Sequence, residues 1–168
     1  LLVASNRLRP REESIGMDLF LIDADSGEIT QLSKENWIAF YPASFYPRFT
    51  PDGKAVVFGA LYPDLSGNMP LTRLYRMDAE PGAAEESIWP EEAPCHEATC
   101  FLYNGETMAR GYEKGQVSED SRYLYFISGW QGEVNLYRAA VAGEKEIVQL
   151  THGGHYYSSM GELHDGKM

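Results

Sequence analysis

The sequence predicts an all-β fold, a partial β-propeller of about three four-stranded blades. Three observations carry that expectation: a turn-and-strand pattern that recurs along the chain, apolar runs of strand length, and the lack of a helical period long enough to build a helix. The apolar runs, such as residues 19–22, 56–58 and 123–127, are short and rich in β-branched and aromatic residues. A parallel βαβ sheet would need helical segments between its strands, and the sequence offers none.

The first repeat is the least complete. Asp18-Leu19-Phe20-Leu21-Ile22-Asp23 reads as one strand and Glu28-Ile29-Thr30-Gln31-Leu32-Ser33 as the strand that closes the unit. Between them, Asp23-Ala24-Asp25-Ser26-Gly27-Glu28 begins like a calcium loop, but the glycine falls one place early and position twelve would be Lys34. It reads as a hairpin turn.

The second repeat is the clearest. Tyr46-Pro47-Arg48-Phe49-Thr50-Pro51-Asp52-Gly53-Lys54 leads into Ala55-Val56-Val57-Phe58-Gly59-Ala60. Pro-Asp-Gly is a hairpin signal: proline presets φ, aspartate bonds the backbone, and glycine takes the positive φ. The following strand runs Arg73-Leu74-Tyr75-Arg76-Met77-Asp78-Ala79. Val56 and Val57 put apolar side chains on both faces, as a strand sandwiched between neighbouring blades requires.

In the third repeat, Gly115-Gln116-Val117-Ser118-Glu119-Asp120-Ser121-Arg122 precedes strands at residues 123–128 and 135–139, and Glu146-Ile147-Val148-Gln149-Leu150-Thr151 closes it. A further turn begins at His164-Asp165-Gly166-Lys167. The turn-to-turn interval from Thr50 to Ser118 is 68 residues and from Ser118 to Leu163 is 45, so the first carries an insert of roughly twenty residues near residues 89–110. This divides the chain into a partial blade at 1–33, a blade at 34–93, a blade at 94–152, and the first strand of a next blade at 153–168.

The tail, Asp165-Gly166-Lys167-Met168, and the head, Leu1-Leu2-Val3-Ala4-Ser5, read together as one turn-plus-strand signature. The opening without Met reads as the middle of a longer polypeptide. Three blades fall short of the usual four-blade minimum for a closed propeller, so self-association through open blade edges is expected, for instance as a pair forming a six-bladed ring.

Charge narrows the partners. With 14 basic and 25 acidic residues the net charge is −11, and only Arg7, Arg9 and Arg11 cluster, which argues against a nucleic-acid or anionic-membrane partner. No apolar run approaches a membrane span, and residues 1–11 lack the order of a signal peptide. Cys95 and Cys100 are the only cysteines; they read as thiols in a surface loop of a cytoplasmic protein, with a disulfide between them open.

These repeats resemble those of TolB and of the N-terminal propellers of the prolyl oligopeptidase family, particularly acylaminoacyl-peptidase-like members. The carriers are Phe49-Thr50-Pro51-Asp52-Gly53-Lys54, Leu19-Phe20-Leu21-Ile22-Asp23-Ala24, Tyr123-Leu124-Tyr125-Phe126 and Gln149-Leu150-Thr151-His152-Gly153-Gly154. Gly132-Glu133-Val134-Asn135-Leu136-Tyr137-Arg138, followed by the last of these, looks more like the late blades of the peptidases. The resemblance implies a non-catalytic propeller that filters and orients peptide substrate for a separate α/β-hydrolase domain, which would hold the catalytic Ser, Asp and His. The alternative is a TolB-like protein-interaction propeller with no enzymatic role.

The residues themselves supply no catalytic set. No serine satisfies Gly-x-Ser-x-Gly; Ser159 in Tyr157-Ser158-Ser159-Met160-Gly161 has Tyr where the first glycine belongs. His152, His155 and His164 invite a zinc or manganese site, but the first two straddle a Gly-Gly turn where polar residues are expected anyway. Cys95-His96-Glu97-Ala98-Thr99-Cys100 is too cramped for paired zinc knuckles. Glu85-Glu86 and Glu91-Glu92 read as a solvated acidic loop, and Trp89, Phe101 and Tyr103 as packing aromatics. No catalytic residue, metal or cofactor is assigned, and the residues that would touch a peptide are left unassigned.

Overall fold

A computed structural model describes residues 1–5, 7–8, 16–33, 38–39, 47–61, 71–95, 115–157 and 160–161. All regular structure in these residues is β, in antiparallel strands, and the fold is a partial β-propeller. No helix there is long and apolar enough to cross a membrane.

Blade one is β1 (Leu2–Ser5), β2 (Gly16–Ile22) and β3 (Ile29–Gln31). A short strand, β4 (Ile38–Ala39), links β2 to the end of β6. Blade two is β5 (Arg48–Phe49), β6 (Ala55–Leu61), β7 (Thr72–Asp78) and β8 (Glu86–Ser87). Blade three is β9 (Gln116–Val117), β10 (Tyr123–Trp130), β11 (Glu133–Ala140) and β12 (Ile147–Gln149). After β12 the chain crosses back, and Tyr156 pairs with Val134 in a single parallel bridge.

The turns before β6 and β10 share one hydrogen-bond scheme, which explains their common spacing. The Thr50 hydroxyl donates to Asp52 Oδ1 at 2.6 Å and accepts the Ala55 N–H at 3.1 Å, and the Lys54 N–H donates to Asp52 Oδ1 at 3.1 Å. In blade three, Ser118 donates to Asp120 and accepts from Tyr123, while the Arg122 N–H donates to Asp120. Gly53 has φ 70°, and Ser121 takes the same place at φ 61°. There the serine earns its strain, because its hydroxyl accepts the Asp52 N–H at 3.1 Å and ties the two turns together.

Two apolar seams hold the blades face to face. Between blades one and two lie Leu19, Leu32, Val56, Phe58, Tyr75 and Met77, with Leu2, Ala4 and Leu21 against them. Between blades two and three lie Val57, Leu74, Ile88, Leu124, Phe126 and Tyr137. Alternation along β6 sends Val56 and Phe58 into the first seam and Val57 into the second, so both faces of blade two are dry, as its sequence requires.

Asp23 settles the loop between β2 and β3. Its Oδ1 accepts the Ser26 N–H at 2.7 Å, the Ser26 hydroxyl at 2.8 Å and the Asp25 N–H at 3.1 Å. Gly27 closes the hairpin at φ 71°, and its N–H donates to the Asp23 carbonyl at 3.0 Å. The carboxylate is spent on its own turn, which is the hairpin geometry expected from sequence.

Candidate functional site

Antiparallel registers sort the connections onto two rims. The β2–β3, β5–β6, β7–β8, β9–β10 and β11–β12 turns all lie on one rim. The other rim receives the end of β6, the start of β7, the β10–β11 hairpin, residues 88–95 after β8 and residues 150–157 after β12. The connecting segments differ most in length and sequence on this second rim, which makes it the candidate functional surface.

Where blades two and three meet on that rim, aromatic and cationic groups are stacked. The Arg73 guanidinium lies over the Trp89 ring at 4.7 Å from its centroid. Trp89 tilts against Phe126 at 6.3 Å, and Phe126 stacks on Tyr137 at 5.7 Å. Trp89 therefore packs, in keeping with its sequence reading.

Cys95 corrects an expectation. It is a free thiol only 5% exposed, packed into the seam between blades two and three rather than held in a surface loop. Burial pushes its pKa up to about 12, against the smaller opposing effects of a Ser128 hydrogen bond and the Arg73 charge. The same burial raises Tyr137 to about 12, with smaller contributions from Cys95 and Glu133. The sequence hides this: Cys95 follows Pro94 in a polar stretch, and only the packing of blade three against blade two encloses it. In a Cys100→Ser background, Cys95 should react with a thiol reagent at pH 8 about 1,000-fold more slowly in the folded chain than in urea, because the thiolate is correspondingly scarce. Absorbance-monitored thiol titration reads this, and rates within tenfold of each other would refute it.

Beside this seam, Trp130 and Glu133 flank a tight turn in which Gln131 has φ 51° and Gly132 φ 84°, the paired positive angles of a type I′ hairpin. Trp130 is 41% exposed. Behind it, Thr151 donates to Asn135 Oδ1 at 3.0 Å, and Asn135 Nδ2 donates to Glu133 Oε2 at 3.3 Å. The Leu136 N–H donates to the Thr151 hydroxyl at 2.9 Å, fixing the start of the strap that follows β12. Further along that strap, the Val134 N–H donates to the His155 carbonyl at 3.1 Å, and the Tyr157 N–H donates to the Val134 carbonyl at 3.3 Å. His155 meets Tyr157 edge-on at 6.4 Å. The rim thus presents Trp130, Tyr156 and Tyr157 to solvent beside a hydrogen-bonded carboxylate, a surface suited to contact and orientation.

The other sequence candidates scatter. His152 and His155 are exposed on the strap, whereas His164, Ser159, His96, Glu97, Cys100, Phe101, Tyr103 and Lys34 lie outside the described residues. Glu86 bonds Arg76 at 3.4 Å on the surface, Glu85 is half-buried, and Glu91 and Glu92 are exposed. Among the described residues, no three His, Cys, Asp or Glu side chains come together as a metal site would require. Sequence reasoning passed over Arg73 and Trp130; an aromatic directly before a Gln-Gly hairpin turn was the available signal for the second.

No family model matches the chain. Dipeptidyl-peptidase 5 of Porphyromonas gingivalis is 26% identical over 152 residues, covering 90% of this chain and 19% of that protein. The crystal structure of TolB from Acinetobacter baumannii superimposes with a TM-score of 0.52 at 19% identity, over 90% of this chain and 30% of that one. The chain therefore spans less than a third of either, and the fold is that of a TolB-type β-propeller.

Proposed function

We propose that this chain is the non-catalytic propeller segment of a prolyl-oligopeptidase-type serine peptidase, and that its rim of long connections gates and orients peptide substrate for an α/β-hydrolase domain outside these residues. The observation that carries the reading is the similarity to a dipeptidyl-peptidase along nearly the whole chain. The rim chemistry agrees with it: aromatic faces and a fixed carboxylate can hold a peptide, and the one described thiol nearby stays protonated.

Two measurements test it. The purified chain should hydrolyse neither peptide nor ester substrates, and activity blocked by a serine-directed inhibitor would contradict the reading. A chimera in which this chain replaces the matching segment of the Porphyromonas gingivalis enzyme should retain peptide cleavage with an altered dependence on peptide length. An active chimera with unchanged length dependence would remove the gating role. The second reading, an interaction propeller with no enzymatic role, draws on the exposed Trp130, Tyr156 and Tyr157; an inactive chimera whose rim captures a folded protein partner would favour it.

A further inference from the structure

Blades two and three place different groups at one equivalent spot on the rim of long connections. The registers Phe58↔Tyr75 and Phe126↔Tyr137 make Arg73 and Asn135 equivalent, each two residues before its tyrosine. The bonds from Ile88 to Leu74 and from Leu150 to Leu136 make Trp89 and Thr151 equivalent, each one residue further on. Blade two fills the spot with its own cation on its own indole, Arg73 over Trp89 at 4.7 Å. Blade three fills it with a hydrogen-bonded pair, Thr151 to Asn135 at 3.0 Å, and Asn135 is 2% exposed.

That pair carries a carboxylate outward. The Leu136 N–H donates to the Thr151 hydroxyl, the hydroxyl donates to Asn135 Oδ1, and Asn135 Nδ2 donates to Glu133 Oε2 at 3.3 Å. The relay starts at a backbone amide and passes through a buried side chain, so Glu133 is positioned before anything binds. Gly154 of the strap lies against the other oxygen: a methyl group built there would meet Glu133 Oε1 at 4.0 Å, and glycine sets no side chain over it. Trp130 is the register partner of Glu133 across the turn, so the two side chains leave the same face of the sheet side by side. In blade two the surface carboxylates Asp78 and Glu86 are both taken by Arg76, at 2.6 and 3.4 Å. Among the described residues no lysine or arginine pairs with Glu133.

An anchored carboxylate beside an exposed indole is complementary to a guanidinium, which is planar enough to stack on the ring and carries N–H groups for the oxygen. We infer that Glu133 and Trp130 form a subsite for an arginine side chain of a peptide. The inference rests on the reading of this rim as a surface that orients peptide, and it names the chemistry selected. The guanidinium donates to Glu133 Oε1 and lies on Trp130, as Arg73 lies on Trp89 one blade earlier. An ammonium at the peptide's end would match the charge but offers no plane to the ring.

Titration of the whole chain at pH 7 with acetyl-Gly-Arg-Gly-amide, followed in 1H–15N spectra, tests this. The probe should shift the Trp130 indole N–H, assigned by its loss in Trp130→Phe, and the same peptide with neutral citrulline should bind about 10-fold more weakly. Glu133→Gln keeps an acceptor for Asn135 but removes the charge, and should weaken the arginine peptide by about the same factor. Glu91→Gln removes a charge from an exposed residue of the same rim and should leave binding unchanged. Equal binding of the arginine and citrulline peptides would overturn the subsite. So would equal weakening by the two glutamine variants, which would reduce the effect to the net charge of −11. Tighter binding of Gly-Gly-Gly-amide, whose only cation is its amino terminus, would overturn it as well. The chimera with the Porphyromonas gingivalis enzyme separates this from the gating role: altered length dependence without arginine binding removes the subsite alone, and arginine binding with unchanged length dependence removes the gating role and leaves the subsite standing.

Discussion

Truncating Phe126 to alanine should lower the unfolding free energy by about 3–5 kcal/mol, read from urea denaturation of wild type and variant side by side. The ring is 1% exposed and sits between Trp89 and Tyr137 in the seam joining blades two and three. Its removal takes away transfer free energy and leaves a void that the two neighbouring rings, one tilted and one stacked against it, cannot fill without leaving their own contacts. A loss of this size is comparable with the whole net stability of a small domain, about 5–15 kcal/mol, so the folded population should fall visibly even without denaturant. Phe49→Ala is the internal comparison: that ring is exposed, and its loss should stay within about 0.5 kcal/mol. Equal costs at the two positions would mean that the seam is not the main store of stability.

The contrast between those two phenylalanines also marks what the residues alone disclose. Phe126 lies in an apolar run flanked by turn signals, and period-two alternation is enough to bury it. The strands, the Asp23 hairpin and the two-faced burial of β6 were legible for the same reason: each depends on neighbours a few positions away. What lay hidden depends on contacts between distant segments. Cys95 is enclosed by residues of blade three, β4 is held by two strands of different blades, and Ser121 tolerates a positive φ while bonding a turn 69 positions earlier. The candidate rim was legible only in outline. The insert pointed to it, but the stacking of Arg73 on Trp89 joins two strand ends that the sequence separates by 16 positions.

Thr50→Val should cost about 1–3 kcal/mol, the second largest effect of a single side-chain change, although it alters no apolar contact area to speak of. The hydroxyl both accepts the buried Ala55 N–H and donates to Asp52, and valine can do neither. Asp52→Asn keeps an acceptor for the Thr50 hydroxyl and the Lys54 N–H, so it should cost less than Thr50→Val. The pH dependence separates the two roles. The Thr50 hydroxyl, then the Lys54 N–H, hold Asp52 below its ordinary value of 3.8, and the Ser118 hydroxyl, then the Arg122 N–H, do the same for Asp120. A carboxyl depressed in the folded state adds stability that is complete above its unfolded value and is lost as pH falls through the folded one. The gap in stability between wild type and an Asp52→Asn/Asp120→Asn double variant should therefore be constant from pH 7 down to about pH 5 and close below about pH 4. Thr50→Val should remain destabilised at both ends of that range, since its lost acceptor serves an amide that does not titrate. A gap for the double variant that persisted unchanged to pH 2.5 would show that the turn carboxylates act by shape alone.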